Sequence, residues 1–229
     1  MGVHTLQSDL EADIPLKPIV HTEEPKLKDD FLLVNSHQIF TLQAEPSRTD
    51  HSLTVVLIHD QINDSYSWSE TKTLQTLALH GYHAVAFDLP SHGRSTGQPL
   101  QNSQERADFL LKFLDIAGLS QQRVVLVGAS MAGQFLIPFL NLMTEQNLAG
   151  VIGVGLSDAQ ELDATVVLPK TLLIRGEMDT SIGLNAANAW KHQENVRQFV
   201  VPSGKHLCHL GNSQLFNKVL INFLNSLSN

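Results

Sequence analysis

A hydroxyl, a carboxylate and an imidazole stand in three loops that each follow a short apolar run: Ser130, Asp179 and His206. Serine alone is a poor nucleophile. It becomes an effective one when an imidazole takes its proton and a carboxylate orients and stabilises that imidazole. Ser130 lies in Gly128-Ala129-Ser130-Met131-Ala132-Gly133, directly behind Val124-Val125-Leu126-Val127 and ahead of Gln134-Phe135-Leu136-Ile137. Strand, sharp turn, helix is the order that lifts a hydroxyl clear of a sheet, with free backbone N–H groups of the helix start beneath it. Such amides can receive the charge that develops on a carbonyl oxygen under attack. The pattern is G-x-S-x-G with Ala132 in place of the last glycine.

The other two residues come later in the chain. Asp179 follows the run Thr171-Leu172-Leu173-Ile174-Arg175 and the turn Gly176-Glu177-Met178, and His206 follows Val200-Val201 and the loop Pro202-Ser203-Gly204-Lys205. Each has an ordinary reading when taken alone. A serine at a helix start is often an N-cap, a loop aspartate is usually solvated, and this chain carries eleven histidines. The conjunction in the order Ser, acid, His, each just past the end of a strand, points to nucleophilic acyl transfer. Two alternatives stay open at this point: Asp158 as the acid and His209 as the base. His206, Cys208 and His209 are close in sequence, but no fourth ligand or zinc spacing accompanies them, so no metal and no cofactor is expected.

The elements that must position these residues alternate short apolar runs with helical patterns, the signature of a mostly parallel central sheet with helices on both faces. The polar stretch 1–28, with Pro15, Pro18 and Pro25, reads as a flexible N-terminal extension, and 29–229 as one domain. Phe31 to Val34 and Gln38 to Leu42 read as a hairpin around Asn35-Ser36. Leu53 to His59, His83 to Asp88, Val124 to Val127, Val151 to Leu156, Thr171 to Ile174 and Gln198 to Val201 read as strands. Helices are expected over about 69–80, through Ala107, Leu110, Leu111, Leu114 and Ala117, directly after Ser130, and from Leu215 to Leu227. Pro138 lies inside the helix after Ser130 and should kink or shorten it.

Over this span the chain resembles the α/β-hydrolase superfamily and, within it, the small proteins called α/β-hydrolase domain-containing protein 14. The resemblance runs from about Phe31 to the C-terminus. It rests on His80-Gly81-Tyr82-His83-Ala84-Val85-Ala86-Phe87-Asp88-Leu89-Pro90, on Ser130-Met131-Ala132-Gly133 with Leu136-Ile137-Pro138-Phe139-Leu140, and on Gly176-Glu177-Met178-Asp179 and Gly204-Lys205-His206-Leu207-Cys208. That subfamily shares the departure at Ala132. The resemblance implies Ser130, Asp179 and His206 as a triad, and cleavage of esters or acyl groups, including acyl groups on protein lysines. It also places the oxyanion amides at Met131 and, through the position usually written His-Gly, at Gln61 after His59-Asp60. Asp60 there is a charge where glycine is common. A carboxylate about 6 Å from the oxyanion would oppose it by roughly 3 kcal/mol at an effective dielectric near 20, on the order of a hundredfold in rate. Two readings follow: a serine hydrolase or acyltransferase, and a catalytically weak interaction protein of the same fold.

Bulk properties narrow the setting. At 229 residues, 42% hydrophobic and 17% charged, the chain can bury a sizeable single core. A formal charge of −8 with no Lys/Arg cluster argues against nucleic acid. Cys208 is alone, which favours a reducing compartment, so a cytoplasmic protein is expected, with the nucleus not separated from it. No apolar run approaches a membrane span. Only Ser157 to Lys170 separates two strands where many relatives insert a helical lid, so an open, shallow site without a lid domain is expected. It suits small esters, or acyl groups displayed on a larger molecule such as an acylated protein. The expected acceptor is water or a thiol such as coenzyme A, and the expected state is a monomer.

Overall fold

The computed structural model describes residues 5–12, 24–46, 53–143 and 148–227. Eight strands form one sheet: β1 (Leu27–Val34), β2 (His37–Ala44), β3 (Leu53–Ile58), β4 (His83–Phe87), β5 (Arg123–Ala129), β6 (Leu148–Val154), β7 (Thr171–Gly176) and β8 (Val196–Val201). Their order across the sheet is β1-β2-β4-β3-β5-β6-β7-β8. β1 and β2 are antiparallel to their neighbours, and the pairs from β4 to β8 are parallel. All six residues of β3 are buried, as a strand covered on both faces requires. The hairpin turns at Asn35-Ser36 as expected, with Asn35 supplying a positive φ of 54°.

The helices are α1 (Thr5–Glu11), α2 (Tyr66–Glu70), α3 (Thr73–Leu79), α4 (Ser103–Ile116), α5 (Gly133–Leu142), α6 (Ile182–Ala189), α7 (Cys208–Gly211) and α8 (Ser213–Leu227). Buried residues of α1, α2, α3 and α8 pack on one sheet face, and those of α4, α5 and α6 on the other. α4 starts with reciprocal capping: the Asn102 side chain accepts from Glu105 N at 2.9 Å while Glu105 accepts from Gln101 N at 2.7 Å. Its buried face takes in Phe109 and Phe113 beside the expected Ala107, Leu110 and Leu114, and Phe113 stacks on Phe87 of β4 at 4.0 Å. α5 runs through Pro138 without ending there.

One expectation about the helices is corrected. The helix read over 69–80 is two helices broken at Lys72, whose φ is 59°. Asn217 of α8 holds the break together, accepting from Thr73 Oγ1 at 2.8 Å and donating to Thr71 O at 2.9 Å. A contact 144 residues away in sequence leaves no local signal. The extension read as flexible over 1–28 contains α1. Leu10 is buried against α8, Asn222 Nδ2 donates to Leu10 O at 2.8 Å, and Asp9 pairs with Arg197 at 2.7 Å. β1 begins at Leu27, before the expected boundary at 29; residues 1–4 and 13–23 of that expectation lie outside the described residues.

Between β6 and β7 the chain makes one 3-10 turn, Ala159–Glu161, and no lid. No helix among the described residues is long and apolar enough to cross a membrane.

Candidate active site

β3 and β5 are neighbours although β4 lies between them in sequence, so the chain departs in opposite directions from this pair. Open α/β sheets gather ligands at such a point, beyond the C-terminal strand ends. The register Ile58↔Gly128 carries His59–Gln61 alongside Ala129–Met131. Ser130 sits on the turn at φ 48°, a left-handed conformation that costs a non-glycine residue roughly 1–3 kcal/mol and recurs at functional sites. The turn is anchored by Ser157 N, which donates to Ser130 O at 3.1 Å.

The irregular letter of the motif has a local explanation. Ala132 is fully buried, and a Cβ on Gly128 would lie 2.9 Å from the Ala132 methyl and 2.4 Å from Leu136 Cδ1. Room for Ala132 is therefore made by Gly128. The close backbone approach falls one residue later: a Cβ on Gly133 would meet Ser157 O at 2.1 Å. Glycine is required at 133 rather than at 132.

The three residues named from sequence form one hydrogen-bonded chain. His206 Nε2 lies 2.8 Å from Ser130 Oγ, and His206 Nδ1 lies 2.6 Å from Asp179 Oδ2. The Asp179 side chain is 1% exposed, and the His206 ring is 32% exposed, so the chain runs from a buried acid to a base open to solvent. Asp179 Oδ2 also accepts from Gly183 N at 3.0 Å, where a Cβ on Gly183 would stand only 2.6 Å away. The loops carrying acid and base are tied together, since Met178 N donates to Gly204 O at 2.8 Å and Ser203 N to Glu177 Oε2 at 2.8 Å. Chemically, this arrangement can move a proton off Ser130 and hold the resulting imidazolium beside a carboxylate.

The alternatives are not brought in. Asp158 takes a hydrogen bond from Ser157 Oγ at 3.0 Å and makes none to His206. His209 is buried against Trp68 and Phe216, with ring centroids 4.9 and 5.7 Å away, and neither ring nitrogen has a hydrogen-bond partner among the described residues. Burial pushes its pKa down to about 4. Burial likewise pushes the Cys208 thiol up to about 11, which keeps it protonated. Among the described residues no group of three or more His, Cys, Asp or Glu gathers as a metal site.

Gln61 and Met131 flank the end of the β3–β5 pair, and neither amide donates to another described backbone group. His59 explains how the first of these is aimed. Its Nε2 accepts from Leu89 N at 3.0 Å, which leaves the proton on Nδ1 to donate to Asp60 O at 2.6 Å. Asp60 O and Gln61 N belong to one planar peptide, so holding the carbonyl fixes the opposite direction of the N–H. Burial lowers the His59 pKa and keeps the ring neutral in this role.

Asp60 itself is 2% exposed, and its carboxylate turns to its own loop. Oδ1 accepts from Ile62 N at 2.9 Å, and Asn63 Nδ2 donates to both carboxylate oxygens at 2.9 Å. The charge is thus spent on shaping the turn that carries Gln61. Trp68 is fully buried on α2. Asp64, Tyr66 and Ser67 of the same segment line an open groove of about 500 Å³ that reaches Gln61.

Residues 55–209 match the family described as "Alpha/beta hydrolase family". The chain belongs to this family. It is 32% identical to "Protein ABHD14A" of Danio rerio over 76% of this chain and 65% of that protein, and 30% identical to "Protein ABHD14A" of Rattus norvegicus over 84% and 80%. It is also 28% identical to the Rattus norvegicus protein named "Putative protein-lysine deacylase ABHD14B", over 89% of this chain and 98% of that one. A crystal structure of a predicted CIB-like hydrolase from Thermoplasma acidophilum superposes with a TM-score of 0.75 at 21% identity, covering 88% and 99% of the two chains, which shows the shared fold.

Proposed function

We propose that this protein is a serine hydrolase or acyltransferase that works through an acyl-enzyme on Ser130, with Asp179 and His206 completing a catalytic triad. The observation that carries the reading is the hydrogen-bonded chain from Asp179 through His206 to Ser130, at 2.6 and 2.8 Å. In this reading Ser130 Oγ bonds to the acyl carbon as His206 Nε2 takes the hydroxyl proton. The carbonyl oxygen, now negative, is held by the N–H groups of Met131 and Gln61. Collapse breaks the bond to the leaving alkoxide or amine, which receives the proton from His206. Water, or a thiol such as coenzyme A, then attacks the acyl-enzyme by the same steps in reverse roles and restores the serine.

The partly exposed His206 ring and the missing lid favour small esters or acyl groups presented on a larger molecule, acyl-lysine in a protein among them. The name of the ABHD14B relative points to the same class. A fluorophosphonate probe tests the reading: the folded protein should be modified stoichiometrically, with the label on the peptide containing Ser130. Folded protein that stays unlabelled would sink it.

Asp60 gives a second test. If its carboxylate shapes the turn, Asp60→Gly slows ester turnover by about tenfold, because Ile62 N and Asn63 lose their acceptor and the turn that carries Gln61 loosens. Asp60→Asn keeps an oxygen for Ile62 N and should stay within about threefold of the parent. A faster Asp60→Gly enzyme would mean that the charge opposes the oxyanion after all.

A further inference from the structure

The contact between Asp179 Oδ2 and His206 Nδ1 lies between two glycines. Gly183 crowds the carboxylate from the side of α6. Gly155, the buried residue that follows β6, crowds both partners from the other strand. A Cβ at 155 would come within 3.0 Å of His206 Nδ1 and of His206 Cε1, and within 3.2 Å of Asp179 Oδ2. Non-bonded carbon atoms rest about 3.5–4.0 Å apart, so one methyl group there would overlap the imidazole and press on the carboxylate.

The backbone around Gly155 is held from both sides. Its N–H donates to Ile174 O at 2.9 Å, which extends the β6–β7 pairing by one bond and ties it to the strand before Asp179. Two residues on, Ser157 N donates to Ser130 O, and Ser157 O occupies the space that a side chain at Gly133 would need. Leu156 between them is buried, packed where a Cβ on Gly153 would meet its Cδ1 at 2.4 Å. The carboxylate is held by Gly183 N at 3.0 Å. The imidazole is the part with room to give way, because its side chain is 32% exposed.

We propose that Gly155 is a positioning residue for the reaction at Ser130: its bare Cα sets where the His206 ring stops, so that the ring meets Asp179 and Ser130 together. The inference rests on the acyl-transfer reading and adds a residue that neither touches substrate nor carries a proton. A side chain at 155 drives the ring toward solvent and lengthens the contacts that now stand at 2.6 and 2.8 Å. Proton transfer from Ser130 then slows, while ester binding is left as it was.

Gly155→Ala tests this on the intact chain with a p-nitrophenyl ester and the fluorophosphonate probe, each assayed below the variant's melting midpoint. The kcat and the rate constant for labelling of Ser130 should both fall by about tenfold or more. KM should stay within about twofold of the parent's. Gly155 has a φ of 52°, so an added Cβ also strains the backbone, and Gly118→Ala isolates that effect. Gly118 has a φ of 71° and no atom within 4 Å of an added Cβ, so this variant should melt lower yet keep the parent's kcat and labelling rate. Gly155→Asn relieves part of the strain, since asparagine enters the left-handed region more readily, but keeps the Cβ and should be slowed at least as much as Gly155→Ala. Parent-like kcat in folded Gly155→Ala or Gly155→Asn, or equal slowing in Gly118→Ala, overturns the positioning role while hydrolysis stands. A folded parent protein that neither turns over the ester nor takes the probe overturns the acyl-transfer reading and this inference with it.

Discussion

Ser130→Ala should lower kcat for a small aryl ester by on the order of 10⁴-fold with the fold intact. The size follows from what is removed: the nucleophile itself, leaving only the oxyanion amides and bound-water attack. The variant loses one hydrogen bond, from Ser130 Oγ to His206 Nε2, worth about 1 kcal/mol, and its melting midpoint should move by only a few degrees. His206→Ala should fall to a similar residual rate, and the double variant should be no slower than either single one, because the two residues act as a unit. Steady-state kinetics with circular dichroism on the same samples decides it. Turnover equal to the parent's in Ser130→Ala would refute the assignment.

Acid should destabilise this protein through His209, well above the pH at which carboxylates protonate. The buried ring titrates near 4 when folded and near 6.5 when unfolded. A lowered folded value means that the unfolded chain binds the proton first. Stability from this group is therefore complete above about pH 6.5 and is lost as the pH falls toward 4. The full loss is about 3 kcal/mol, of which about 2 kcal/mol has gone by pH 5. His59, lowered by burial as well, acts in the same direction. His209→Leu has similar volume, removes two ring nitrogens without partners, and should be as stable as the parent at pH 7 or more so. Urea unfolding at pH 7, 6 and 5 should show the variant's advantage growing at each step. Parallel curves would show that His209 does not carry the effect.

Much of the site was legible because its signals are local. The run before Ser130, the glycines on either side and the apolar stretch behind it declare a strand, a turn and a helix within a dozen residues. Asp179 and His206 each follow their own strand closely enough to be read the same way. The hairpin at Asn35-Ser36 is equally local. Residues whose fate depends on distant partners were not legible. The break at Lys72 needs Asn217 of α8, and the ordering of α1 needs Asn222 and Arg197. Asp60 looked hazardous because its charge is written in the sequence while its hydrogen bonds are not. Its main partner, Asn63, stands only three residues on, and an aspartate followed by an asparagine at that spacing is the signal that could have shown a closed turn.

The sequence by itself determined the candidate nucleophile, the order of its candidate acid and base, the parallel sheet that carries them and the absence of a lid, since each follows from residue type and short-range pattern. Only the tertiary structure decided among candidates that share a residue type. Asp179 rather than Asp158 reaches the imidazole because β7 and β8 are neighbours and Gly183 leaves room for the carboxylate. His206 rather than His209 reaches the serine, although the two histidines are only three positions apart, because the helix α7 turns the second ring into the core against Trp68. Distance between side chains remote in sequence is set by how strands pair and helices pack, and the chemistry proposed for Ser130 depends on that distance.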